Sequence, residues 1–175
     1  LGNHDTEYFL DTSACRQYFN YMMTIADLFT QNGDMFKLGY YCTINGQDFT
    51  FSHSCILEKW AKSVPELSEC NTPQEVIDRI SQLKSNQLTL ALNKIGFDRY
   101  GHDAYGSMIW ADVKEAIKCL CDDWLETVTF QVFGHSERKD GPIIREMFAM
   151  LDCHHAFRIR EDCTDDNISN WFEQI

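Results

Sequence analysis

The sequence is poor in positive charge and contains no long apolar run. Lys and Arg total 15 against 27 Asp and Glu, so the 175-residue chain carries a formal net charge of −12. An acidic surface repels phosphate polymers, which argues against binding of nucleic-acid polymers and of anionic lipid. A small phosphorylated substrate is still compatible with this charge, because metal ions can supply local positive charge. No apolar run approaches the roughly 20 residues that a membrane-spanning helix needs, so we expect no membrane partner.

The chain also lacks internal repeats and low-complexity tracts, and its length suits one domain. Hydrophobic residues make up 44% of the sequence, which is enough to bury a substantial core. The eight cysteines lie mostly in apolar surroundings. We therefore interpret them as reduced thiols in a reducing compartment, the cytoplasm, rather than as a disulfide scaffold or a zinc site.

The first 52 residues combine a helical and a hairpin pattern. Apolar side chains spaced three and four residues apart over 6–30 predict one amphipathic helix that ends at Asn32-Gly33. Residues 37–44 and 47–52 flank Asn45-Gly46, a dipeptide that accepts the two positive φ values of a type I′ turn. We therefore expect a β-hairpin around this turn.

The remaining sequence mixes helices and strands. Helical patterns cover about 73–95 and 112–124, with a loop over 96–107 between them, whereas β-rich runs occupy 127–133, 147–152 and 156–160. The predicted fold class is mixed α/β, with a mostly helical insert at about 65–125 between the hairpin and the last strands.

Three metal-capable groups stand where a β-rich run stops. Asn3-His4-Asp5 follows Leu1-Gly2, which we expect to be a strand end turning into a helix. His53 follows the second hairpin strand. His135 follows the β-rich run that ends at Phe133-Gly134. In open α/β sheets, ligands gather beyond the carboxyl ends of strands. An amide oxygen and two imidazoles suit a divalent cation such as Mn²⁺, Fe²⁺ or Zn²⁺.

These three elements, in this order, resemble the second half of a calcineurin-like metallophosphoesterase. The matching motifs are Gly2-Asn3-His4-Asp5, a lone His53, and Phe133-Gly134-His135-Ser136. The Trp-containing segment 107–112 and the run Leu151-Asp152-Cys153 are similar to segments of the protein-phosphatase and diadenosine-tetraphosphatase branch. The similarity extends over nearly the whole chain.

The resemblance implies both a fold and a chemistry. The fold would be a two-sheet β-sandwich flanked by helices in four layers. The chemistry would be hydrolysis of a phosphomonoester or phosphoanhydride by attack of a hydroxide held by two divalent metal ions (Mn, Fe or Zn). Asn3, His53 and His135 would bind one metal ion. His4 would protonate the leaving group or hydrogen-bond a phosphate oxygen. Asp5 would brace the loop, while Gly2 and Gly134 would allow tight turns beside the ligands.

The sequence also departs from the family's pattern. It contains no counterpart of the Asp-x-His and Gly-Asp-x-x-Asp motifs, and Glu137 stands where some branches carry a second His. We expect residues 1–175 to be the carboxy-terminal part of one phosphoesterase domain, with the other metal ion bound mainly by residues missing from this chain. Glu137 is expected to be a solvated charge.

The substrate could be a small molecule, a dinucleotide or a phosphoprotein. The alternative function is a non-catalytic binding or scaffold module that keeps the fold with an incomplete metal centre.

Other candidate groups carry weaker signals. Ser52-His53-Ser54 lacks the Gly-x-Ser-x-Gly elbow of a nucleophilic hydrolase. His102-Asp103 is interpreted as a solvated loop pair. Three arginines could contact phosphate, and the sequence does not distinguish between them: Arg99, Arg138 and Arg145.

Overall fold

The computed structural model describes residues 1–8, 10, 15, 18–120, 122–124, 127–163 and 165–175. Its helices are α1 (Asn3–Thr6), α2 (Met22–Gln31), α3 (Glu58–Ser63), α4 (Pro73–Ser81), α5 (Ser85–Leu92) and α6 (Val113–Cys119). Its strands are β1 (Gly39–Ile44), β2 (Gln47–Ser52), β3 (Thr129–Phe133), β4 (Ile143–Ile144), β5 (Phe148–Met150), β6 (Phe157–Ile159) and β7 (Phe172–Gln174).

The predicted hairpin is confirmed. β1 and β2 pair antiparallel with Ile44 opposite Gln47, so the connecting loop has two residues. Asn45 and Gly46 have φ values of 50° and 79°. These are the left-handed conformations that a type I′ turn requires, and Asn and Gly adopt them at low steric cost.

A five-stranded mixed sheet forms the centre of the structure, in the order β1-β2-β3-β5-β4. Strands β2, β3 and β5 run parallel, and the antiparallel strands β1 and β4 lie at the two edges. The connection from β2 to β3 carries α3 to α6, as a parallel pairing requires a long crossover. The three predicted strands after residue 126 are therefore observed, in shortened form, as β3, β5 and β6.

The two faces of this sheet are covered by different layers. Phe130 and Val132 of β3 pack on one face with Trp171 and residues of the two-stranded sheet β6–β7. Phe133 and Phe148 pack on the other face with the helical segment, whose centre is the fully buried Trp60. The alternation follows from the period of two along a strand. A mixed α/β fold with two sheets and helices is thus confirmed.

The predicted helix over 6–30 is wrong as a single element. α1 ends at Thr6, a turn follows at 7–8, and α2 begins only at Met22 after a short 3-10 turn at Phe19–Tyr21. Residues 9, 11–14 and 16–17 of this prediction lie outside the described residues. No described residue of α2 is buried. The apolar spacing therefore reflects a short exposed helix rather than a long one facing the core.

The predicted helix over 73–95 is divided into α4 and α5. Thr72 caps α4 by accepting a hydrogen bond from the Glu75 N–H at 3.0 Å, as the Thr-Pro entry predicts. The helix stops because Lys84 is extended and its N–H donates to Gln87 Oε1 at 3.3 Å, which begins a new helix.

The predicted helix over 112–124 is shorter than expected. Its described helical part is α6, with Asp112 as its cap; residue 121 lies outside the described residues. Residues 96–107 form the expected loop around a 3-10 turn at Phe97–Arg99. Sequence patterns missed α3, β4 and β7, which are too short to show a period.

The cysteine and membrane expectations can be checked directly. The seven described cysteines are free thiols, and five of them are buried; Cys121 lies outside the described residues. Within the described ranges, the helices are too short and too polar to cross a bilayer.

Candidate metal centre

Two neighbouring parallel strands bring the two central imidazoles to one edge of the sheet. His53 follows the last residue of β2, and His135 lies two residues beyond the end of β3. β2 and β3 are adjacent and parallel, so their carboxyl ends meet. Asn3, which is buried in the first turn of α1, approaches the same point.

The three predicted ligand side chains converge. His53 Nε2 lies 2.9 Å from Asn3 Oδ1 and 2.9 Å from His135 Nδ1. The two imidazole planes cross at 62° with their centroids 4.8 Å apart. For metal–ligand bonds of about 2.1 Å at right angles, neighbouring donor atoms are about 3.0 Å apart. The two separations are ordinary hydrogen-bond lengths and are also compatible with donors that share one octahedrally coordinated cation.

The orientation of each donor is set by its surroundings. Asn3 Nδ2 donates to Cys15 Sγ at 3.2 Å, which turns the amide oxygen toward His53. The His53 ring lies directly over Gly2, where a Cβ atom would be only 2.5 Å from Nδ1. Gly2 is therefore needed for the close approach of this ring, and not for the expected tight turn, because its φ of −107° and ψ of −176° are open to any residue.

Gly134 is different. A Cβ there would meet its nearest neighbour, Asp152, at an ordinary 3.4 Å. The expectation that Gly134 provides a tight turn is corrected, because the unusual backbone belongs to His135, whose φ is 69°. A non-glycine residue in this region costs roughly 1–3 kcal/mol and concentrates at functional sites.

Both imidazoles are neutral at physiological pH. Burial, opposed by the charges of Asp5 and Asp152, lowers the pKa of His53 to about 4. Burial and the nearby Arg99 guanidinium lower the pKa of His135 to about 3. A neutral imidazole has a free lone pair for a metal ion, whereas an imidazolium has none. His135 Nε2 is buried without a hydrogen-bond partner in the described part of the chain.

The other motif residues surround this cluster. His4 is exposed and follows Asn3 directly in the first turn of α1. Asp5 Oδ2 accepts the Gly2 N–H at 2.8 Å and so braces the loop as expected. Glu137 is exposed and pairs with the exposed His154 at 2.8 Å, which is consistent with a solvated charge.

The helical insert contributes residues that sequence analysis did not assign to the site. Trp110 packs edge-on against the His135 ring, with centroids 5.9 Å apart. Met108 O accepts the Ser54 N–H at 3.0 Å, and Ser54 Oγ donates to Ala111 O. The segment 107–112 therefore packs beside the residue that follows His53. Only its resemblance to a Trp-containing family segment signalled this position.

The structure separates the three candidate arginines. Arg99 Nη2 donates to the His135 carbonyl at 3.0 Å. The Arg138 N–H donates to Asp152 O at 2.8 Å, which keeps its loop beside the end of β5. Arg145 lines a separate groove with Ile117 and Asn167.

The loop pair His102-Asp103 is corrected in part. His102 is exposed, whereas Asp103 binds the backbone N–H of Ile95 at 3.0 Å and Lys94 Nζ at 3.1 Å, and so holds the loop in place. Asp152, which lies beside Gly134 and whose charge acts on the pKa of His53, was not singled out from the sequence. Its position after β5, the third parallel strand, is the signal that could have identified it.

A groove of about 710 Å³ lies away from the cluster, between β1, Phe36 and α4. In the ranges that the structure describes, no group of three or more His, Cys, Asp or Glu side chains is placed to hold a metal ion. The candidate centre has two histidines, and its third donor is the amide oxygen of Asn3. The chain matches no protein-family model, no curated protein and no solved structure.

Proposed function

We propose that this chain is a metal-dependent phosphoesterase that hydrolyses a phosphomonoester or a phosphoanhydride. The observation that supports the proposal is the meeting of Asn3 Oδ1, His53 Nε2 and His135 Nδ1, with two separations of 2.9 Å. Their chemistry fits a divalent cation of the Mn²⁺, Fe²⁺ or Zn²⁺ type, since one amide oxygen and two neutral imidazoles are available as donors.

Within this proposal, the roles of the side chains follow from their positions. Asn3, His53 and His135 hold one cation, which supplies Lewis-acid charge stabilisation and activates water when bound. The exposed imidazole of His4 is next to Asn3 and donates a proton to the departing oxygen. Asp5 keeps the Gly2 backbone in place under the His53 ring. Two divalent metal ions are proposed in all, and this cluster holds one of them.

The proposed fold is the four-layer sandwich of calcineurin-like metallophosphoesterases. Its support is the packing of the two-stranded sheet on one face of the five-stranded sheet and of helices on the other. The net charge of −12 favours a phosphorylated small molecule, dinucleotide or phosphoprotein over a nucleic-acid polymer. The free thiols favour a reducing compartment such as the cytoplasm.

The test combines metal binding with turnover. The protein is loaded with Mn²⁺ or Zn²⁺, its bound metal is quantified, and hydrolysis of nitrophenyl phosphate is followed. His53→Ala and His135→Ala should each lower metal content and hydrolysis together. His102→Ala, which changes an exposed loop histidine, is the matched control and should alter neither.

Two results would contradict the proposal in different ways. Metal content that survives in the double variant His53→Ala/His135→Ala would remove the cation from this cluster. Metal binding at the cluster without any hydrolysis, measured in protein that also carries ligands for the second metal ion, would favour the binding-module alternative.

A further inference from the structure

Arg99 connects the helical insert to the backbone of a proposed metal ligand. Its Nη2 donates to the His135 carbonyl at 3.0 Å and to Ser136 Oγ at 2.8 Å. Its Nε lies 2.9 Å from Asp112 Oδ2, at the cap of α6. Ser136 Oγ also accepts the Val113 N–H at 3.1 Å. The guanidinium therefore ties the start of α6 to the loop that follows β3.

The residue held in this way has an unfavourable backbone conformation. His135 has a φ of 69°, and its Nδ1 lies 2.9 Å from His53 Nε2. A residue with a Cβ leaves the left-handed region unless its surroundings prevent it. The Arg99 contact to the His135 carbonyl fixes the following peptide plane, and Trp110 covers one side of the ring.

We propose that Arg99 is a positioning residue: it holds His135 in the left-handed conformation that directs Nδ1 to the shared point with His53 and Asn3. The effect on a cation rests on the proposed function, whereas the effect on the His135 backbone does not. The guanidinium presents its donors on separate nitrogens of one plane, so Nη2 donates to the carbonyl and the hydroxyl while Nε lies beside the Asp112 carboxylate as an ion pair.

The test compares Arg99→Met with Lys118→Met. Lys118 Nζ forms an ion pair with Asp98 Oδ2 at 2.8 Å, and this pair also joins the 97–99 turn to α6. Lys118→Met is therefore a matched control, because it removes a similar cation that does not contact His135. The first readout is the φ of His135 in metal-free protein, from its HN–Hα coupling and backbone ¹³C shifts. The second is the affinity for Co²⁺, followed by visible absorption.

We expect Arg99→Met to move His135 out of the left-handed region and to weaken Co²⁺ binding about 10- to 100-fold. Lys118→Met should leave both readouts unchanged. An unchanged His135 φ with Co²⁺ affinity within twofold of wild type would overturn the proposal and reduce Arg99 to a stabilising contact of the insert. Circular dichroism verifies that each variant is folded.

A second variant protects the test against misfolding. Arg99→Lys keeps the charge and supplies donors from a single nitrogen, so it should not restore the wild-type His135 φ. Restoration by Lys would support a donor at position 99 as the group that holds the His135 carbonyl, and would overturn only the requirement for a guanidinium. If wild-type protein does not bind Co²⁺, the proposed function fails, while the His135 backbone measurement still decides the role of Arg99.

Discussion

The contact between Gly2 and His53 allows a quantitative test of the site. In Gly2→Ala, the new Cβ would lie 2.5 Å from His53 Nδ1 and 2.6 Å from Cε1, whereas ordinary contact begins near 3.4 Å. The ring must therefore retreat by about 0.9 Å. Overpacking of this kind costs about 1–3 kcal/mol of unfolding free energy. The same shift separates His53 Nε2 from its two neighbours, so cation affinity should fall about 10- to 100-fold.

A double-mutant cycle isolates this contact. Gly2 has φ −107° and ψ −176°, which Ala adopts without strain. In a His53→Ala background the ring is gone, and Gly2→Ala should cost far less. Urea denaturation of the four proteins should give a coupling energy of about 1–3 kcal/mol. Gly134→Ala is the matched control, since its Cβ would meet Asp152 at an ordinary 3.4 Å. An equal cost of Gly2→Ala in both backgrounds would refute the reasoning.

Two further predictions concern the histidines. The folded pKa values of His53 and His135, about 4 and about 3, lie below the ordinary value of 6.5, so the unfolded chain takes up protons first as the pH falls. The unfolding free energy of metal-free protein should therefore decrease as the pH falls from about 6.5 to 3. Denaturant melts at several pH values should show a smaller decrease for His53→Ala/His135→Ala than for the wild type. An equal decrease in both proteins would contradict the lowered pKa values of the two histidines. His4→Ala should retain its metal content and hydrolyse alkyl phosphates about 10²-fold more slowly than the wild type, with a smaller loss of rate on nitrophenyl phosphate. An unchanged rate on alkyl phosphates would remove His4 from the mechanism.

Local turn chemistry and strand ends were readable from the sequence. Asn45-Gly46 defined the hairpin because few residues accept two consecutive positive φ values. His53 and His135 were identified by their positions after β-rich runs, and the parallel pairing of β2 and β3 explains why they meet. The rule that ligands gather at the carboxyl ends of parallel strands needs no side-chain detail, because it depends only on strand direction.

Tertiary effects account for what the sequence did not reveal. The spacing over 6–30 indicated a long helix, yet α2 packs no described side chain into the core. Apolar periodicity reports only that a helix is possible, whereas burial decides its length. Arg99 could not be separated from Arg138 and Arg145, since its contact to His135 spans 36 residues and arises from the folding of the insert. The left-handed φ of His135 likewise follows from its surroundings.

The parallel pairing of β2 and β3 has a consequence for the order of assembly. His53 and His135 are 82 residues apart in the chain and become neighbours only after the whole crossover between the two strands has closed. Closing so long a segment is entropically costly and slow, so this pairing forms late in folding. A cation that binds both imidazoles can therefore stabilise the finished sheet, but it cannot template the early steps. During synthesis, such a cation could be captured only after residue 135 has left the ribosome.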